Sequence, residues 1–296
     1  MPATDLPSEA GERLERAAFS SGLTIPDFAA CLHMGMRPVG LVQGYCVMKW
    51  SWYGAGSMYG RSGLYGRSNW GTTLRSYNCP HGYVQSADHR TWGENFQQPW
   101  VSQAWSDGFN TAYKRMLEEA AEAGAHGVLG VVDVSRHLID NSIREFHIYG
   151  TAVVVDGAAP PATIWTSYLA GQRLAKLVEA GLTPVSVVAS MASVRVWAVC
   201  ATEILLGGGY DQWGAVTPGD EITQMSDAQM QARHLARDQI RSLLGHDSLH
   251  GARLDVTSHE IGEGDFGFDC TLRGTRVRRV RDAEPLPAPV PTVRLL

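Results

Sequence analysis

GAHGVLGVVDVSRH, residues 124–137, has the apolar density of a β-strand, yet it carries glycines at 124, 127 and 130. Glycine costs chain entropy in a strand and offers no side chain to pack, so its presence there needs a reason. A related phrase, LHGARLDVTSH, returns at 249–259. The recurrence moves the question from one strand to the whole chain, because a repeat constrains the architecture before any single element does.

A helix-forming segment precedes each phrase. SDGFNTAYKRMLEEAAEAG, 106–124, sets Phe109, Ala112, Tyr113, Met116, Leu117, Ala120 and Ala121 on one face, with Glu118, Glu119 and Glu122 opposite as a solvated face. SDAQMQARHLARDQIRSLLG, 226–245, repeats this with Ala228, Ala232, Leu235, Ala236, Ile240, Leu243 and Leu244, and Ser226 and Gln229 have capping-box spacing. Downstream, HIYGTAVVVD and TLRGTRVRRV share a Gly-Thr step at 150–151 and 274–275. This reading aligns His126 with His250 and Gly127 with Gly251.

Farther upstream, ERLERAAFSSGLTIPDFAACL (12–32) and QRLAKLVEAGLTPVSVVASM (172–191) both read as a helix ending at Gly-Leu-Thr, with a second helix capped by the threonine. Pro184 suits the first turn of such a helix. Strand-like runs follow at 37–50 and 193–205. The sequence thus predicts a tandem duplication with the order helix, helix, strand, helix, strand, strand in each copy. In DFGFDCTLRG, Phe266, Phe268, Cys270 and Leu272 alternate with Asp265, Gly267, Asp269 and Thr271, as in a half-buried antiparallel strand. A bulge at the Gly-Thr step accounts for the broken alternation from Val277 to Val280.

The helix, the phrase GAHGVLGV and a late strand ending in GTAVVV together resemble the YbjQ family, whose members are also called putative heavy-metal-binding domains. Gly124, Ala125, Val128, Gly130, Gly150, Thr151, Ala152 and Val153 carry the resemblance in copy one. Copy two keeps Gly251, Gly274, Thr275 and Val277, while Arg253 replaces an apolar position. The resemblance implies an α+β fold: two tandem copies of a small antiparallel-sheet-plus-helix lobe, similar to the dodecin architecture, each preceded by two short helices. It also implies closed rings, typically pentamers, built by sheet-to-sheet contacts. Gly127, Gly130, Gly150, Thr151, Gly251, Gly274 and Thr275 are then candidates for close packing, between lobes or within one.

The expected boundaries are 1–155 for the first copy, with an insertion at about 51–100, and 156–163 for the linker. The second, degenerate copy spans 164–282, and a Pro-rich tail covers 283–296, either linker-like or a docking peptide. The chain has 296 residues, 44% of them hydrophobic and 19% charged, so both halves can bury a core. A net charge of −5 argues against a general polyanion binder, making nucleic acid an unlikely partner. Five cysteines fit a reducing compartment better than a disulfide scaffold. With no apolar signal core and no spanning run, the expectation is a cytoplasmic protein without membrane contact.

Three constellations carry residues capable of chemistry or recognition. Cys79, His81 and His89 offer ligands for zinc or copper, but Cys-x-His with one distant histidine lacks a fourth ligand. His126, after a helix, can cap carbonyls instead. GAGSMYGRSGLYGRSNWG, 54–71, has glycines after a strand but no following helix, so the dinucleotide fingerprint fails its context test. Its Tyr59, Arg61, Tyr65, Arg67 and Trp70 suit a protein interface, against the alternative of an extended loop. Arg276 and Arg278, on the last strand, read as solvated or as docking to an acidic partner.

No catalytic motif stands out: there is no Gly-x-Ser-x-Gly elbow, HExxH, P-loop or convincing carboxylate pair. The expected function is a non-enzymatic protein that assembles with itself into a ring or shell. Its chain count should be a multiple of five, no cofactor is required, and a protein partner or cargo is possible. The first alternative is a metal or small-ligand binder, and the second an enzyme on a divergent oligomeric fold.

Overall fold

The computed structural model describes residues 20–49, 94–137, 143–198, 202, 221–262 and 265–280. Helix α1 (Ile25–His33) is capped by Thr24, whose hydroxyl accepts the Asp27 N–H at 3.3 Å, with a proline in the first turn. Strand β1 (Met36–Lys49), strand β2 (Asn95–Gln97), helix α2 (Pro99–Glu122) and strands β3 (Gly127–His137) and β4 (Ile143–Val155) follow. The short strand β5 (Trp165–Thr166), helix α3 (Gly171–Glu179), strand β6 (Leu182–Trp197), helix α4 (Thr223–Leu244) and strands β7 (Ser248–Gly262) and β8 (Asp265–Arg279) complete the order.

These form a mixed α+β structure with two four-stranded sheets, ordered β1-β4-β3-β5 and β2-β6-β8-β7. All pairings are antiparallel except β3 with β5. The lobes repeat one another closely: α1 matches α3, β1 matches β6, α2 matches α4, β3 matches β7 and β4 matches β8. Even the irregularities recur. The register slips by one residue after Pro38 in β1 and after Pro184 in β6, which lie opposite Val153 and Val277. In β3 the pair Gly130–Val131 bulges opposite Gly150, and in β7 the pair Gly251–Ala252 bulges opposite Gly274. The bulging residues therefore sit on the neighbours of the Gly-Thr strands, not on those strands themselves.

Each long helix lies on its own lobe's sheet. Ala112, Met116 and Ala120 of α2 pack with Val42, Cys46, Phe146 and Ile148, while Ala228, Ala232, Ala236 and Ile240 of α4 pack with Ala192, Val194, Phe268 and Cys270. The helical stripes read from the sequence supply these faces with two corrections: Glu119, expected on the solvated face, is buried where it accepts the Gln43 N–H at 2.8 Å, and Leu243, expected on the apolar face, is exposed.

Three further sequence expectations change. Residues 183–191, expected to be helical, belong to β6. The β-branched Val185, Val187 and Val188 favour a pleated strand, and Pro184 sits at the register slip, where its missing N–H costs no ladder bond. A single helix, α3, therefore precedes the first strand of copy two. The first of the two helices expected in copy one (12–22) falls largely outside the described residues, and α1, the second, is the one that matches α3. Secondly, residues 95–100, assigned to the insertion, form β2 and the start of α2. Thirdly, the register aligns Gly127 with Ser248, His126 with Asp247 and Gly130 with Gly251, so the shared His-Gly dipeptide misaligns the copies.

Candidate assembly interface

Copy two begins by crossing onto copy one. Residues 165–169 run along the outer edge of β3. There the Trp165 N–H donates to the His126 carbonyl at 3.3 Å, Ser167 N–H to Val128 at 2.9 Å, and Val131 N–H to the Ser167 carbonyl at 3.0 Å. This contact explains the glycines. The Trp165 indole fills the place a Gly127 side chain would take. Gly130 lies at φ +57°, in the left-handed region, and a Cβ there would sit 3.3 Å from the Ala170 methyl. Gly150 is glycine for a reason inside its own lobe: a Cβ would stand 2.6 Å from Val128 Cγ1.

The threonines of the two Gly-Thr steps perform one job twice. Thr151 Oγ1 accepts the Gly22 N–H at 3.0 Å, with Ser21 Oγ beside it at 3.4 Å. Thr275 Oγ1 accepts the Tyr168 N–H at 3.0 Å, with Ser167 Oγ beside it at 3.3 Å. Ser21 and Ser167 each also accept the N–H two residues on, from Leu23 and Leu169. Each copy thus pins the segment before its first helix onto its own last strand.

Side chains seal the junction. Beyond its own sheet, α2 also covers Val187 and Met191 of β6. Thr166 takes the Val187 N–H at 2.7 Å and shares a 2.8 Å hydrogen bond with Tyr113 of α2. Strand β2 joins the edge of β6, so each lobe lends the other a strand. Helices α1 and α3 meet around Cys31, Leu174 and Leu177, with Leu129, Val153 and Val277 beneath. Arg273 of β8 donates to both carboxylate oxygens of Asp133 at 2.8 Å and to Asp255 at 3.1 Å. Burial pushes the Asp133 carboxyl up, and the Arg273 charge and hydrogen bonds pull against that rise.

Gly251 lies at φ +63° on the outer strand of copy two, and Gly274 stands close to Leu249. Arg276 and Arg278 donate to Asp247 at 2.6 and 2.9 Å, and these bonds hold its carboxyl down to about 2. His126 is buried, and its Nδ1 accepts the Val155 N–H at 3.2 Å, reaching a strand rather than helix carbonyls. Tyr59, Arg61, Tyr65, Arg67, Trp70, Cys79, His81 and His89 lie outside the described residues. Among the described residues there is no group of three or more His, Cys, Asp or Glu able to hold a metal ion.

A further surface stands open. Tyr45 stacks on His147 with centroids 4.0 Å apart, and His147 lies 4.9 Å from Tyr149. Tyr45 is 43% exposed and its neighbour Val47 59%. Sequence reading missed this row and also Trp165, Ser167, Asp133 and Arg273. One signal was present: Ser-x-Leu stands before the first helix of both copies, at 21–23 and 167–169.

Residues 93–156 match the family model described as "Putative heavy-metal-binding", the YbjQ family. This segment is YbjQ-like. It spans β2, α2, β3 and β4, the part of copy one that carries the glycines. The chain is also 25% identical, over 97% of its length and 96% of the relative's, to an encapsulin nanocompartment protein of Mycobacterium tuberculosis. No solved structure matches it.

Proposed function

We propose that this chain is a self-assembling, non-enzymatic protein whose lobes build a closed ring or shell in the cytoplasm. The observation that carries the reading is the end-to-end similarity to an encapsulin nanocompartment protein, which takes in both lobes rather than one shared module. The exposed Tyr45 and Val47 of β1, with the half-buried His147 stacked on Tyr45, support it, since an apolar and aromatic surface patch marks a contact site. A closed assembly with a chain count that is a multiple of five follows from the family's ring habit, and a hollow particle has room for cargo.

Native mass spectrometry with negative-stain imaging tests the reading. Particles many times the 32.2 kDa chain are expected. A monomer at micromolar concentration overturns it. The family's description favours a second reading, metal binding, for which Cys79, His81 and His89 are the candidate ligands. Near-stoichiometric zinc or copper in purified protein, lost in a Cys79→Ser/His81→Ala variant, would establish that reading.

A further inference from the structure

We propose that successive chains join head to tail by repeating the junction between the two lobes: residues 20–23 of one chain add along the β7 edge of another. In the same contact, α4 of that second chain covers the β1–β4 face of the first. The inference rests on the self-assembly reading and names its contact surface.

The junction inside the chain is one-sided. Copy two gives its leading segment and its first-strand face; copy one gives its outer strand edge and a second face of its long helix. The reciprocal halves of this contact are left over: the β7 edge in one sheet, and residues 20–23 with the β1–β4 face in the other lobe. On β7, the bulge and the left-handed Gly251 reproduce those of β3, yet Ser248, Gly251 and Ala252 are exposed where Gly127 and Val131 are buried. Among the described residues only β8 pairs with β7. An exposed edge of this kind is a template for another strand. Its matching segment, residues 20–23, is also ready. Ser21 and Leu23 are held on Thr151 just as Ser167 and Leu169 are held on Thr275, but no described backbone pairs with their outward side.

The faces agree in direction. Tyr45 stands where copy two has Met191, which α2 buries. At the positions of Phe109 and Tyr113 in α2, helix α4 carries Arg233 and Arg237, both exposed. Guanidinium groups over tyrosine and histidine rings are a favourable pairing. The chemistry also keeps the two junctions apart. Where the internal junction has the Arg273–Asp133 pair, the external one would have Tyr149 against Leu254. Swapping partners would leave a buried charge facing an apolar side chain, which discriminates strongly against mispairing. Repeated heterologous contacts that close give a ring, and here its lobes alternate, so their number is even.

The test introduces Ser20→Cys with Leu249→Cys, the positions equivalent to the paired Thr166 and Val128. Under mild oxidation the double variant should give a reductant-sensitive ladder of chain multiples, with none from either single variant. Arg233→Glu/Arg237→Glu, exposed and so expected to fold, should raise the concentration for half assembly by about tenfold. A wild type that assembles while the double variant forms no ladder and the arginine variant assembles unchanged overturns this contact alone. A wild type that stays monomeric overturns the assembly reading and this inference with it.

Discussion

At Gly127 the cost of a side chain follows from the packing. A methyl group would overlap the Trp165 indole, so the strand, the indole or both must shift. Gly127→Ala should lower stability by about 1–3 kcal/mol, as overpacking does. Gly124→Ala, at φ +66° with no atom within 4 Å of the added carbon, should cost only the left-handed penalty of about 1–2 kcal/mol. Intrinsic fluorescence should report the difference, with a shifted tryptophan emission in the first variant alone. Asp247 gives a pH signature. Its folded-state value of about 2 lies below the ordinary 3.8, so its stabilising contribution is present above 3.8 and lost as pH falls toward 2. Asp247→Asn should therefore unfold at lower denaturant than wild type at pH 7, with the gap closing by pH 2. A gap unchanged across that window would show that Arg276 and Arg278 stabilise nothing through this carboxylate.

At the scale of elements, the long helices sit differently on matched strands. Gly44 of β1 lies so close to α2 that a Cβ would meet the Ala112 carbonyl and the Met116 amide. The matched residue in β6 is Ser190, whose hydroxyl donates to the Ala236 carbonyl of α4 at 2.9 Å. Gly44→Ser should lift α2 from its sheet and lower the melting temperature clearly. Ser190→Ala should cost about 1 kcal/mol, one hydrogen bond. Equal losses would mean that α2 can retreat freely. The same elements show what was legible. The alanine-rich stripes and the Gly-Thr steps fall at fixed places because helical periodicity and a close approach both leave marks in residue type. The alignment by His-Gly went astray because it followed identity, whereas the register follows which backbone must bulge. Gly-Leu-Thr misled for a similar reason. In copy one it caps a helix, and in copy two the same phrase opens β6, where pairing with β8 overrides local preference. The contact surface was least legible, since its members come from many elements far apart in the sequence.

For the whole molecule, the exchange of strands matters most. Strand β2 belongs to copy one by sequence and to copy two's sheet by pairing, and β5 does the reverse. Neither lobe can leave without stripping a strand from the other. Calorimetry of the intact chain should therefore show one cooperative transition, with calorimetric and van't Hoff enthalpies in agreement. Two resolved transitions would show that the lobes melt separately. Joining the lobes in one polypeptide also places their mutual contact beyond the reach of dilution. Contacts between chains obey mass action and fade as protein becomes scarce, whereas the linked one keeps its effective concentration at any dose. A scarce chain would thus persist as an ordered pair of lobes, with half of the junctions of any larger body already made.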